Sequence, residues 1–208
     1  MICPKYKFLY IHIPKTGGTS IESIFNPKAS VTNVPYKHHT LRGYENLNKH
    51  ADQYFKFSFV RNPWDMTASM YNYLWKKDAP WPNRWRDIHK EFSKLSFKEW
   101  VVHPSFQFPT IRSVDVNPNL DGRDGDFSSW LVSKNYTINF IGRYENLQGD
   151  FNTVCDKIGI PLQQLPHKNK SKHKHYAEYY DDETREIVAR KYAKDIECFG
   201  YEFEQQAK

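Results

Sequence analysis

The sequence predicts an α/β fold in three layers, a central and mainly parallel sheet flanked by helices, and three observations lead there. Two strand-like runs, Lys7 to Ile13 and Tyr54 to Val60, each pass directly into a helix-like run. A third strand candidate, Thr137 to Ile141, precedes apolar residues at helical spacing. Strands that alternate with helices favour parallel pairing through right-handed crossovers, and ligands then lie beyond the carboxyl ends of the strands. With 208 residues the chain can bury one sizeable core and is short for two, so residues 1–208 are read as a single domain.

The first strand leads into His12-Ile13-Pro14-Lys15-Thr16-Gly17-Gly18-Thr19-Ser20. Gly17 and Gly18 allow a tight turn and a close approach of the backbone to a ligand, and Thr19 and Ser20 can cap the following helix and add hydroxyl donors. An anion placed there would meet backbone N–H groups and the positive end of the helix dipole, with Lys15 adding a full charge. The order differs from the Walker pattern G-x-x-x-x-G-K, because the lysine precedes the glycines. After a short strand candidate, Ser30 to Val34, comes Lys37-His38-His39-Thr40-Leu41, with two adjacent imidazoles suited to proton transfer near neutral pH. Neighbours in an extended segment point opposite ways, so one of the two would face a reacting group.

In the second strand Phe55, Phe57 and Phe59 fall on one face, and Arg61-Asn62-Pro63-Trp64-Asp65 follows, then the helix-like Met66 to Leu74. A nucleotide hydrolase often places a metal-binding aspartate at such a strand end. An arginine instead forks onto a phosphate. Pro63 suits a first helical turn, so the sequence predicts two strand ends, each with a cation and a helix start. Residues 78–126, rich in Trp, Pro, Asp and Asn, have weak periodicity and are the expected acceptor region. Asp150 is the expected cap of a helix carrying Phe151, Val154, Cys155 and Ile158, ended by Gly159 and Pro161. A last helix is expected from Asp181-Asp182-Glu183 through Val188 and Tyr192 toward Lys194.

These segments resemble the sulfotransferase family that uses 3′-phosphoadenosine 5′-phosphosulfate (PAPS), in particular its carbohydrate-type branch. Pro14 to Ser20 match the family's 5′-phosphosulfate loop. Arg61, Asn62, Pro63, Ser69 and Tyr71 match its 3′-phosphate pattern, in which an arginine at a strand end is followed eight residues later by a serine. Met66 stands where the family often has a second arginine. Phe140 to Leu147 and Phe199 to Phe203 extend the likeness over nearly the whole chain. The resemblance implies a P-loop-NTPase-like fold and a donor site of Lys15, Thr16, Gly17, Gly18, Thr19, Ser20, Arg61 and Ser69. Arg143 lies in a segment similar to one near the family's nucleotide, and Lys170, Ser171 and Lys172 lie in a basic run, His167 to His175, like the family's late loop over the donor phosphates. His38 corresponds to the branch's histidine base, with His39 as rival; because some sulfotransferases use a glutamate instead, the resemblance also leaves Glu22 and Glu45 as candidates. The product would be adenosine 3′,5′-bisphosphate, the acceptor a hydroxyl on a glycan, and no metal would be required.

Composition bounds the alternatives. A formal charge of +6 suits an anionic ligand and does not by itself separate a nucleotide from a nucleic acid. A P-loop kinase or hydrolase is disfavoured by the missing Walker lysine, and a basic nucleic-acid-binding module would need an exposed aromatic platform. No nucleic-acid partner is assigned, and the oligomeric state stays open. Cys3, Cys155 and Cys198 are far apart and suggest neither a disulfide framework nor a zinc site. No apolar run approaches the roughly 20 residues that span a bilayer. The expected location is the cytoplasm.

Overall fold

Phe8, Tyr10, Phe57 and Phe59 build one core because successive side chains of a strand point to opposite faces, and these four share one face of two neighbouring strands. The structure, a computed structural model, describes residues 1–25, 39–47, 52–74, 94–103, 127–166 and 174–204. Its regular elements are β1 (Ile2–Cys3), β2 (Phe8–Ile11), α1 (Gly18–Phe25), α2 (Leu41–Leu47), β3 (Phe55–Val60), α3 (Pro63–Leu74), α4 (Phe97–Val102), α5 (Phe127–Trp130), β4 (Phe140–Arg143), α6 (Leu147–Ile158), α7 (Asp182–Lys191) and α8 (Ala193–Phe199). The chain divides into two compact units, one drawn from residues 1–61 and 108–169, the other from 62–107 and 170–208.

The first unit holds the sheet. Its strands lie in the order β1-β2-β3-β4; β1 runs antiparallel to β2, while β2 with β3 and β3 with β4 are parallel. The mainly parallel α/β architecture expected from the sequence is thus present. Helix α1 brings Ile21 and Phe25 to the aromatic face, and α6 brings Phe151, Val154 and Cys155. Phe25 lies 4.7 Å from the Phe8 ring and 6.1 Å from that of Phe151. On the opposite face Leu9, Ile11 and Ser58 are buried as well, as a parallel sheet covered on both sides requires. Lys56, buried on that second face, carries a charge. Its Nζ donates to the carbonyls of Asp52 (2.6 Å) and Tyr54 (2.9 Å) and stands 4.8 Å from the centre of the Tyr136 ring. A buried ammonium is tolerable when its protons have acceptors, although burial still lowers its pKa.

The second unit is helical and aromatic. Tyr71 lies between Phe97 (5.3 Å), Trp100 (5.8 Å) and Tyr179 (6.1 Å), and Phe203 is met edge-on by Trp64, Tyr176 and Tyr180. Helix α4 starts with a capping box of Ser96 and Glu99, and α7 with the Asp181 side chain accepting from the Thr184 amide at 2.8 Å.

Several boundaries shift from the sequence reading. Helix α6 begins at Leu147, so Asp150 is not its cap. The carboxylate turns back within the first turn, accepting from the Arg143 amide (2.5 Å) and from Asn146 Nδ2 (2.9 Å). The strand expected at Thr137 to Ile141 is formed by Phe140–Arg143, the residues in register with Phe57–Val60. The helix from Asp181 breaks at Tyr192 into α7 and α8. Gly159 ends α6 in the left-handed conformation, as expected. The candidate strand Ser30 to Val34, most of 78–126, and 167–173 lie outside the described residues.

Candidate active site

The site is built at the carboxyl ends of β2, β3 and β4. After Ile11 the chain leaves the sheet through His12 to Gly17 and enters α1 at Gly18. Lys15 adopts φ +68° and Gly17 φ +82°. A left-handed backbone is ordinary for glycine and unfavourable for a residue with a Cβ, so something must hold Lys15 there. Within the loop, Thr16 Oγ1 donates to the Ile13 carbonyl (2.8 Å), and the Gly17 carbonyl accepts from the amides of Ser20 (3.0 Å) and Ile21 (3.4 Å). Thr19 and Ser20 therefore sit inside the first turn of α1 and do not cap it, and the Ser20 amide is committed to Gly17. The first turn of α1 holds no acidic residue, and its leading amides, those of Gly18 and Thr19, belong to the set that a helix cannot satisfy internally.

Beneath the turn lies His12, 3% exposed, with Nδ1 2.7 Å from Glu22 Oε1 on α1. A Cβ on Gly18 would lie 2.1 Å from His12 Nε2, which leaves room for glycine alone. The sequence reading gave His12 no role, though a histidine entering the loop and a glutamate one turn into the helix are both visible in the sequence.

Arg61 ends β3. Its Nη1 donates to the Lys15 carbonyl at 3.0 Å, and its guanidinium carbon stands 3.9 Å from the centre of the Tyr144 ring, just past the end of β4. Lys15 and Arg61, far apart in sequence, are thus joined through the Lys15 carbonyl. Among the described residues no cluster of three or more His, Cys, Asp or Glu side chains is placed to share a metal ion.

A glycine turn with an adjacent lysine at one strand end and an arginine at the next is the arrangement expected of a sulfuryl-donor site, and the profile of the Sulfotransferase family matches residues 1–202. The chain belongs to the sulfotransferase family. It is also similar to an uncharacterized protein of Archaeoglobus fulgidus, 31% identical over 114 residues that cover 53% of this chain and 72% of that protein. No solved structure matches.

The other predicted residues of this sulfotransferase fare differently. His39 is 1% exposed, with its ring 5.3 Å from that of Tyr44, and burial pushes its pKa down to about 4, so it is neutral at ordinary pH. Glu45 accepts from Ser133 Oγ, from Asn135 Nδ2 and, at 3.2 Å, from the Lys134 amide; these bonds hold its carboxyl below the usual range. It serves as an anchor for that turn. Glu22 is bonded to His12. Arg143 is exposed, while Ser69 is buried on α3 in the second unit, and Met66 beside it is fully buried. His38, Lys170, Ser171 and Lys172 lie outside the described residues. In the described residues no helix is long and apolar enough to cross a membrane.

Proposed function

We propose that this sulfotransferase uses PAPS as donor and transfers its sulfuryl group to a carbohydrate hydroxyl, releasing adenosine 3′,5′-bisphosphate, without a required metal. The observation that carries the reading is the loop itself. Lys15, held in a left-handed turn, stands ahead of Gly17 and Gly18 at the start of a helix with no acidic residue in its first turn, and Arg61 is bonded to the same turn. In the reaction the acceptor oxygen bonds to sulfur, the bond from sulfur to the 5′-phosphate oxygen breaks, and the hydroxyl proton passes to a base. Charge then grows on the departing phosphate, where Lys15 and the leading amides of α1 can neutralise it. Arg61, with Ser69 eight residues on in sequence, holds the 3′-phosphate in this reading; Thr16, Thr19 and Ser20 complete the loop, and Arg143 and the Lys170-Ser171-Lys172 segment supply further donor contacts.

His38 is the proposed base. Burial of His39, with its depressed pKa, supports choosing its neighbour in sequence. A carbohydrate acceptor rests on the likeness of His38 to Leu41 and of the two phosphate motifs to that branch of the family.

The test is calorimetric titration with adenosine 3′,5′-bisphosphate and, in parallel, ATP with and without Mg²⁺, followed by sulfuryl transfer from PAPS to carbohydrate and protein acceptors. Tight binding of the bisphosphate over ATP is expected, with transfer to carbohydrate. Preference for Mg²⁺-ATP would replace the donor reading with that of a kinase or hydrolase. His38→Ala should abolish turnover while binding of the bisphosphate persists; near-normal turnover would move the base elsewhere.

A further inference from the structure

Tyr144 lies against Arg61 and beside the space that a side chain at Gly17 would need. One face of its ring carries the Arg61 guanidinium, 3.9 Å from the ring centre, a close cation–π contact. Its ring carbon Cδ2 is also a neighbour that a Cβ on Gly17 would meet, at 3.4 Å, beside Leu147 at 2.8 Å. Arg61 in turn donates to the carbonyl of Lys15, the residue with the unfavourable φ of +68°. A strained residue persists only where its surroundings over-determine it. Here those surroundings form a chain of two contacts, Tyr144 to Arg61 to the Lys15 carbonyl, with Tyr144 and Leu147 occupying the space beside Gly17.

We propose that Tyr144 is a positioning residue which acts through Arg61, fixing the left-handed turn of the loop before any ligand arrives and coupling the 3′-phosphate site to the 5′-phosphosulfate site. A guanidinium has five N–H donors, so one group can hold a carbonyl and an anion together. The consequence is specific. Damage to Arg61 or Tyr144 weakens ligands that have no 3′-phosphate at all. The ligand arm of the test rests on the donor reading above, and the ligand-free arm does not.

The experiment compares Tyr144→Leu, Tyr144→Phe, Arg61→Ala and the Tyr144→Leu/Arg61→Ala pair. Affinity is measured for adenosine 5′-phosphosulfate, which lacks the 3′-phosphate, and hydrogen exchange of the amides of residues 12–20 is followed without ligand. Tyr144→Leu should exchange faster in the loop and lose about tenfold in affinity, Tyr144→Phe should behave as wild type, and the double variant should be no worse than Arg61→Ala alone. Unchanged loop exchange, or losses that multiply in the double variant, would overturn the coupling. If the wild type bound neither this nucleotide nor the bisphosphate, the donor reading would fail while the exchange data still decided the latch. Should Tyr144→Leu not fold, Arg61→Lys, which keeps the charge and loses the flat fork, is measured the same way with the same two outcomes.

Discussion

The strand-to-helix turns after β2 and after β3 are opposites. At the start of α1 the turn is made by glycine and a strained lysine, with no acidic side chain in the first turn. At the start of α3 the Asn62 side chain fills the cap position, accepting from the amides of Trp64 (3.0 Å) and Asp65 (3.4 Å), and Asp65 itself puts a carboxylate in the first turn. Asn62 Nδ2 also donates to the Glu202 carbonyl (2.9 Å). The second helix start is satisfied by its own side chains, and its acid would repel an anion. Each strand end has its cation and its helix start, and the two helix starts differ in capping and charge. A helix start left uncapped by side chains is the better anion site; after β3 the strand-end cation is Arg61.

The largest expected effect comes from removing the charge at the first turn. Lys15→Ala should lower kcat by about 10²–10³, the scale of losing one preorganised donor to a developing charge, measured with saturating PAPS. A loss under threefold would move the site away from this loop. Next comes the backbone of the same turn. Gly18→Ala puts a methyl group 2.1 Å from His12 Nε2 and should cost donor affinity about tenfold or more, and adding His12→Ala should restore part of it by making room. No recovery in the double variant would mean that Gly18 is required for some reason other than this contact.

At the second turn the expected effects fall on stability. Asn62→Ala should destabilise by about 1–2 kcal/mol in denaturant unfolding, through the lost cap and the unpaired Glu202 carbonyl, with bisphosphate affinity within about twofold of wild type. A large affinity loss at constant stability would reinstate α3 as an anion site. Smallest is Asp65→Asn, which removes a favourable charge from the first turn and should cost about 0.3–1 kcal/mol, less at high salt. An increase in stability would show that the dipole term is outweighed locally.

Much of this was legible in the sequence because it is local. The two strands, the glycine loop, the arginine at a strand end and the Gly159 stop follow from residue types and spacings a few positions apart, and the alternation of Phe55, Phe57 and Phe59 identifies the core face of β3 directly. Boundaries were read less well where a side chain serves a different partner from the nearest one. Asp150 has the composition of a cap and instead ties α6 back to the end of β4. Tyr192 continues the apolar spacing yet marks the break between α7 and α8. The aromatic richness of the second unit is in its described part a packed cluster around Tyr71, Phe97 and Phe203.

By itself the sequence determined the α/β class, the family, and which side chains could hold an anion, since those depend on periodicity and on the chemistry of a few contiguous residues. Only the tertiary structure decided that Arg61 bonds the Lys15 carbonyl, that the Tyr144 ring lies against Arg61, and that His12 fills the space under Gly18. These contacts join the ends of three strands, and register between strands is set by packing of whole faces. No local pattern in the chain records that a tyrosine after β4 will stand beneath an arginine after β3.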